Sequence, residues 1–430
     1  MNTDGRETCR ILIVGNNILS TSTSNGRTLR NFLIGWPKEK LAQFTLQAKQ
    51  PDFDLCDRYF CTTDGQALRA FLGRGSGGGV AEPQPEPAAV QPAAGQKNRP
   101  RTALTMLLRE WVWNSRRWTK NGFWQWVEVF KPELVLLQAG DCAFMFRLAE
   151  DVARKYDIPL VIYNSEGYYF KDFDYFRGRG LAHWCYPLFR RQYCRQFKKT
   201  LAYAAHSIYI CDPLKQDYDK VLGRPSTTVY TATQVTPAAE KTPNEVFTTS
   251  YLGNLGVGRH KALMDIANAL QAISPELHLD VYGRIPNDVV QAAFDACPGI
   301  RYKGFVSYEQ VVQVMHQSDL LVHGENFDPF WREDLKYGFS TKLADSLASG
   351  TCFLLYAPEE MACARYLRDN DAAWVVSDKA ELTAALERLV TDPQARQAYI
   401  PNALTLVKRN HSTHKCTQQF QDILKSVVSE

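Results

Sequence analysis

Lys342 and Asp345 stand three residues apart in the segment Asp319–Tyr356, DLLVHGENFDPFWREDLKYGFSTKLADSLASGTCFLLY. The segment reads as strand, polar loop, short helix and strand. Either Ser340 or Thr341 can cap the helix, and Gly350 ends it. Leu343 and Leu347 face a core, which leaves Lys342, Asp345 and Ser349 on the other face. A cation in the first turn meets the positive end of the helix macrodipole, at a cost of roughly 0.3–1 kcal/mol. That position makes sense if an anion arrives there, shared by the ammonium and the free backbone N–H groups. One turn on, Asp345 can accept two hydrogen bonds from a diol. A phosphate site beside a diol site describes a nucleotide. On spacing alone, an amphipathic helix with a solvated Lys/Asp pair stays open.

The elements around this helix are those of a doubly wound α/β chain. DLLVH and CFLLY are short apolar runs suited to buried parallel strands. Upstream, Thr248–Leu252 is a strand followed by the glycine loop Gly253-Asn254-Leu255-Gly256. A helix is expected from about Arg259 to Ile273. Leu277–Tyr282 is a strand ending at Gly283, and Ile300–Tyr302 begins one leading to Gly304-Phe305. Ser307 caps the helix YEQVVQVMHQ. In any doubly wound arrangement these loops and the Lys342 helix start reach the same carboxyl edge of the sheet. Two more helices are expected at about 379–389 and 393–408, then a last one to the C-terminus.

The first half opens similarly. Ile11–Val14 is a buried strand. After the small-residue loop GNNILSTSTSN, capped at Ser24 or Asn25, Gly26 opens a helix to about Gly35. The loop is either a plain βα connection or one that lets a ligand approach the backbone. Leu134–Leu137, Pro159–Tyr163 and Ser207–Ile210 are further strands, with a helix over Asp141–Tyr156. Glu166 follows the strand PLVIY, where a catalytic carboxylate could sit; capping or pairing with an arginine is the alternative. The low-complexity segment Gly73–Pro100 cannot bury enough apolar surface to order itself and is expected to be a disordered loop.

With 430 residues, 45% apolar and 22% charged, the chain is long enough for two domains. A net charge of +4 carries no argument for nucleic acid. Eleven scattered cysteines suggest free thiols in a reducing compartment. The N-terminal MNTDGRETCR lacks a signal-peptide core, and no stretch approaches 18 apolar residues, so a cytoplasmic location is expected. Two segments are candidates for contact with the inner face of an anionic membrane. Residues 101–130 interleave five of the nine tryptophans with Arg and Lys. Residues 177–199 form a basic aromatic helix. The alternatives are a packed core for the first and a solvated face for the second. His411, His414 and Cys416 form a loose metal-like cluster lacking a fourth ligand, and no metal site is expected.

The second half resembles retaining GT-B glycosyltransferases of the family-4 type. The resemblance spans about 245–410 and rests on YLGNLGVGRHKAL, LDVYG, YKGFVSYEQVVQVMHQSDLLVH and GFSTKLADSLASGTCFL. RILIVGNN and SNGRTL resemble the family's opening strand and its small-residue loop. The resemblance implies two Rossmann-like domains facing a central cleft, with the C-terminal helix returning to the N-terminal domain. Expected bounds are 1–230 for the acceptor domain, with a disordered loop at about 74–100, and 231–244 for a linker. The nucleotide-sugar domain is expected over 245–410, and the final helix over 411–430.

By the same resemblance, Asp345 stands where a carboxylate holds the ribose. Arg259 and Lys342 are the cations for a diphosphate. Asn254, Gly256, Gly283, Phe305, Ser340 and Thr341 line the nucleotide, and Gly26 faces the diphosphate from the other domain. Tyr337 occupies the place of the family's first Glu and Asn254 that of an Arg, so the Glu pair is not intact. Glu325 and Glu333 are the nearest substitutes. The activity implied is metal-independent transfer of a sugar from a UDP- or GDP-sugar to a polysaccharide, lipid-linked or protein acceptor, with no cofactor required. Catalytic roles are expected for Glu166, Arg259 and Lys342. Retention and inversion stay open. A nucleotide-sugar-binding scaffold and a GT-B-shaped epimerase are the alternatives.

Overall fold

The computed structural model describes residues 8–19, 24–47, 51–75, 77–81, 101–238 and 244–429. The chain divides into two compact units, Met1–Val229 with Thr417–Glu430, and Tyr230–Cys416.

In the first unit eight strands form one sheet: β1 (Ile11–Gly15), β2 (Leu41–Thr45), β3 (Arg58–Cys61), β4 (Gly79–Ala81), β5 (Leu134–Gln138), β6 (Leu160–Asn164), β7 (His206–Tyr209) and β8 (Ser226–Thr228). Their order is β4-β3-β2-β1-β5-β6-β7-β8. All pairs are parallel except β3 with β4. β1, β2, β5 and β6 are buried along their whole length, as strands covered on both faces must be. The order reverses between β1 and β5, which makes a crevice at their carboxyl ends.

Two sequence expectations change here. β2 and β3 went unpredicted, because LAQFT and RYFC are short and mix polar with apolar residues. Part of the low-complexity segment is ordered: Gly79–Ala81 pairs antiparallel with Tyr59–Cys61, while residues 82–100 lie outside the described residues. The tryptophan-rich segment, open to either reading in the sequence, packs mainly as core, with Trp111 left exposed. Trp113, Trp118 and Trp126 are buried with Phe44, Phe60 and Phe123. Trp113 stacks on Phe144 at 4.6 Å and gives its indole N–H to Asp64. Side-chain caps at Ser24 or Asn25 lie outside the described residues.

The last helix, Thr413–Ser429, closes the first unit. Its Phe420 stacks on Phe32 at 4.7 Å, and its Gln421 amide donates to the Phe32 and Ile34 carbonyls.

The second unit holds β9 (Thr249–Leu252), β10 (Leu279–Tyr282), β11 (Ile300–Gly304), β12 (Leu320–Gly324), β13 (Cys352–Tyr356) and β14 (Trp374–Val376). Their order is β11-β10-β9-β12-β13-β14, parallel throughout. The reversal falls between β9 and β12. The helix expected over 393–408 is broken into Pro393–Gln397 and Ile400–Leu406, with a π turn at Val407–His411.

Part of the stretch read as a linker packs tightly instead. Thr231, Ala232, Thr233 and Val235 are buried, and Thr233 forms a bridge with Ser412. His411 lies beneath them with both ring nitrogens occupied. Nδ1 contacts the Thr231 carbonyl at 2.7 Å and Nε2 the Tyr366 hydroxyl at 2.9 Å. The carbonyl can only accept, so Nδ1 carries the proton of a neutral ring. Burial lowers its pKa from the ordinary 6.5 to about 4. The neutral ring therefore contributes stability above pH 6.5 that is lost as pH falls toward 4. Thermal melts should show the midpoint declining across that window, and His411→Asn should flatten the decline. An unchanged profile in the variant would refute this assignment.

Candidate functional site

The crevice between β9 and β12 is built first by backbone. Beyond β9, the Tyr251 hydroxyl donates to the Asn254 carbonyl at 2.8 Å, and the Gly256 N–H donates to the Asn254 side chain at 2.8 Å. The chain then turns through Val257 and Gly258, both at positive φ. A Cβ on Gly258 would lie 2.0 Å from the Asn326 amide nitrogen, so only glycine fits. That amide donates to the Gly258 carbonyl at 3.2 Å and ties the loop after β9 to the one after β12. Gly283, at the end of β10, is held as closely: a Cβ there would meet the Gly253 carbonyl oxygen at 2.2 Å.

Arg259 opens the helix His260–Ile273. Its guanidinium grips Glu325 with two hydrogen bonds, Nε to Oε2 at 2.9 Å and Nη2 to Oε1 at 2.7 Å. The His323 ring approaches the same Oε1 at 2.9 Å. Glu325 is buried just past β12, and its N–H donates to the Tyr356 carbonyl. Burial alone would raise its pKa, but the Arg259 charge and the His323 hydrogen bond hold it at about 2. Arg259 is thus fixed in place by a bidentate partner 66 residues away.

The helix Thr341–Ala348 follows β12, so its N-terminus lies at the carboxyl edge. Ser340 is the cap, accepting the Lys342 N–H at 3.3 Å, and Lys342 is in the first turn. Gly350 ends the segment at φ +73°. Asp345 accepts a 2.6 Å hydrogen bond from the Thr233 hydroxyl. Phe305 follows β11 and is exposed, with the Arg284 guanidinium 4.3 Å over its ring.

Topology therefore brings Phe305, Gly283, Asn254, Gly256 and Arg259 to the carboxyl ends of β11, β10 and β9 in succession. It adds Ser340, Thr341, Lys342 and Asp345 from the helix after β12. Gly26 and Glu166 belong to the first unit. Gly26 is buried inside the helix Ser24–Phe32 rather than opening it. Glu166 lies just beyond β6, half-buried, and its carbonyl accepts from the Tyr218 hydroxyl at 3.3 Å. Glu333 is exposed on the short helix Pro329–Asp334, whereas Glu325 enters the site. Tyr337 is buried.

Sequence reasoning missed His323, Asn326 and Thr233. The first two had a signal, since H-G-E-N spans the end of the buried run DLLVH. Thr233 had none. Among the described residues no group of three or more His, Cys, Asp or Glu could hold a metal ion.

Residues 259–423 match the glycosyl transferase-like family. No curated protein matches the chain by sequence. Solved structures do match by fold over nearly its whole length. HepE of Anabaena, in complex with UDP, superposes with a TM-score of 0.63 at 11% identity, covering 97% of this chain and 100% of that one. Sucrose-phosphate synthase of Thermosynechococcus elongatus gives 0.64 at 12%, covering 98% and 100%. A glycosyltransferase of Rickettsia africae gives 0.56 at 10%, covering 98% of each. The architecture is that of the GT-B glycosyltransferases, and the C-terminal segment carries a glycosyl transferase-like domain.

Proposed function

We propose that this chain, with its glycosyl transferase-like domain, moves a sugar from a nucleoside-diphosphate donor to a glycan, lipid-linked or protein acceptor. The observation that carries the reading is the crevice between β9 and β12. A glycine loop leaves β9 there, a helix whose first turn bears Lys342 follows β12, and a buried Glu325 orients Arg259. Departure of the diphosphate is the step that needs stabilised charge. Preorganised cations and backbone N–H groups supply it without reorganising when the charge develops. In this reading Lys342 and Arg259 meet the diphosphate, with the Asn254–Gly256 loop beside it. Asp345 takes the ribose diol, and Gly283 and Phe305 border the base. Gly26 and Glu166 serve the acceptor side in the first unit. The donor is a UDP- or GDP-sugar and no metal is needed; HepE, similar in fold, is solved with UDP-glucose.

A panel of UDP- and GDP-sugars in a thermal-shift assay tests this, because a ligand that binds only the folded state raises the midpoint. Asp345→Asn should weaken the best nucleotide-sugar about tenfold, the value of a charged hydrogen bond. A panel without any shift would sink the donor reading. A shift that survives Asp345→Asn unchanged would remove only the ribose assignment.

A nucleotide-sugar-binding scaffold is the second reading. It is favoured by the buried Tyr337 in place of a carboxylate and by the existing bond from Thr233 to Asp345. Donor binding without transfer or hydrolysis on any acceptor would select it.

A further inference from the structure

In the first unit the helix Leu181–Trp184 passes through Cys185, itself helical at φ −76° and ψ −14°, into the helix Tyr186–Tyr203. One side is fastened to the unit by the buried Tyr186, Phe189, Tyr193, Phe197 and Leu201. The opposite side carries Trp184, Leu188, Arg191, Arg195 and Lys198, spaced by four, three, four and three residues and so aligned along one face. Its first part is apolar and open: Leu181 is 69% exposed, Trp184 79% and Leu188 60%. Its second part borders a groove of about 460 Å³ lined by Tyr169, Asp172, Arg190, Arg191, Arg195 and Lys198. Four of those side chains are cations and one is an acid. Among the described residues, Arg191 and Arg195 make no ion pair. The basic helix expected over 177–199 begins only at Leu181; it is docked by its aromatic side, with Arg191, Arg195 and Lys198 turned outward.

We propose that this face docks on the surface of an anionic lipid bilayer. Leu181, Trp184 and Leu188 enter the interface, and Arg191, Arg195 and Lys198 meet lipid phosphates, one of which occupies the groove. The occupant follows from how the face is divided. Tryptophan with neighbouring aliphatics suits the boundary between headgroups and acyl chains, where an indole has an apolar and a wet side. Long cationic side chains reach the phosphate layer above it while their stems cover apolar surface. A protein partner would have to desolvate unpaired guanidinium groups, whereas a bilayer surface leaves them hydrated beside opposite charge. No helix among the described residues is long and apolar enough to cross a membrane. The proposal does not depend on the sugar-transfer reading, and its test measures no transfer.

The whole chain would be co-sedimented with phosphatidylcholine vesicles and with vesicles that include phosphatidylglycerol, at low and at high salt. The expected result is capture by the anionic vesicles only, weakening with salt, because each cation near such a surface contributes roughly fivefold in binding. Arg191→Glu with Arg195→Glu should reduce capture more than tenfold. Trp184→Ser with Leu188→Ser should reduce it too, including at high salt, where the apolar contribution remains. All four residues are outside the buried face, and circular dichroism checks that the variants fold. Absence of capture at low salt would overturn the proposal. So would capture that neither double variant weakens, which would move the contact to another surface. Release by millimolar inorganic phosphate, with Trp184 and Leu188 dispensable, would make the groove a soluble-phosphate site instead.

Discussion

Replacing Lys342 with Ala is expected to lower the rate of sugar transfer by a factor of roughly 10²–10³, the usual consequence of removing one donor aimed at developing charge. The ammonium stands in the first turn of the helix Thr341–Ala348, where the macrodipole disfavours a cation unless an anion joins it. Its loss should be felt most in kcat, because the diphosphate carries more charge on leaving than in the bound donor. The protein should fold normally. The capping bond at Ser340 uses the backbone N–H of residue 342, which the variant retains. Single-turnover rates with a donor found by thermal shift, alongside melting curves, measure both quantities. Unchanged turnover would remove Lys342 from the mechanism. Lost turnover with a collapsed melting temperature would make its role structural. Lys342→Arg keeps the charge and should recover part of the rate.

The second large effect concerns stability. Glu325→Ala should destabilise the second unit by about 3–5 kcal/mol, because it leaves the Arg259 guanidinium with no counter-charge in a closed site. For a unit of this size that is a fall of roughly 10 °C in melting temperature. The double variant Arg259→Met with Glu325→Leu removes both charges and should recover most of the loss, while remaining unable to turn over the donor. A single variant that melts like the parent would refute the buried-pair argument. The pair also sets an acid limit. A carboxyl held at about 2 rather than 4.5 contributes stability above pH 4.5 that is lost as pH falls from 4.5 toward 2. This window lies below that of His411, so acid titration of the parent should show two successive declines. Glu325→Ala should remove the lower one and His411→Asn the upper.

Much of the sheet was legible because strands buried on both faces must be apolar without a break. ILIV, LVLL and CFLLY announce themselves in that way, and the glycine and asparagine residues after ILIV mark a carboxyl-edge loop. β2 and β3 were not legible, since four or five residues of mixed polarity carry no period of their own, and the three apolar residues of β14 are too few to show one. The tryptophan-rich segment was ambiguous for a different reason. A core and a membrane interface select the same amphipathic rings, and only neighbours such as Phe44 and Phe60 decide between them.

By itself the sequence determined what is local: that the unbroken apolar runs are strands, that Ser340 or Thr341 opens the Lys342 helix and Gly350 ends it, and that glycines stand where loops leave the sheet. Those properties depend on residues within one turn or one strand of each other. The tertiary structure decided everything set by strand order. It joined Arg259 to Glu325 and Glu325 to His323 at the switch point, brought Thr233 onto Asp345, and turned Arg191, Arg195 and Lys198 of the Tyr186–Tyr203 helix outward. Such pairings span 66 or 112 residues, and no periodicity encodes them. They arise because parallel crossovers bring distant loops to one edge of a sheet, where burial makes an unpaired charge too costly to leave.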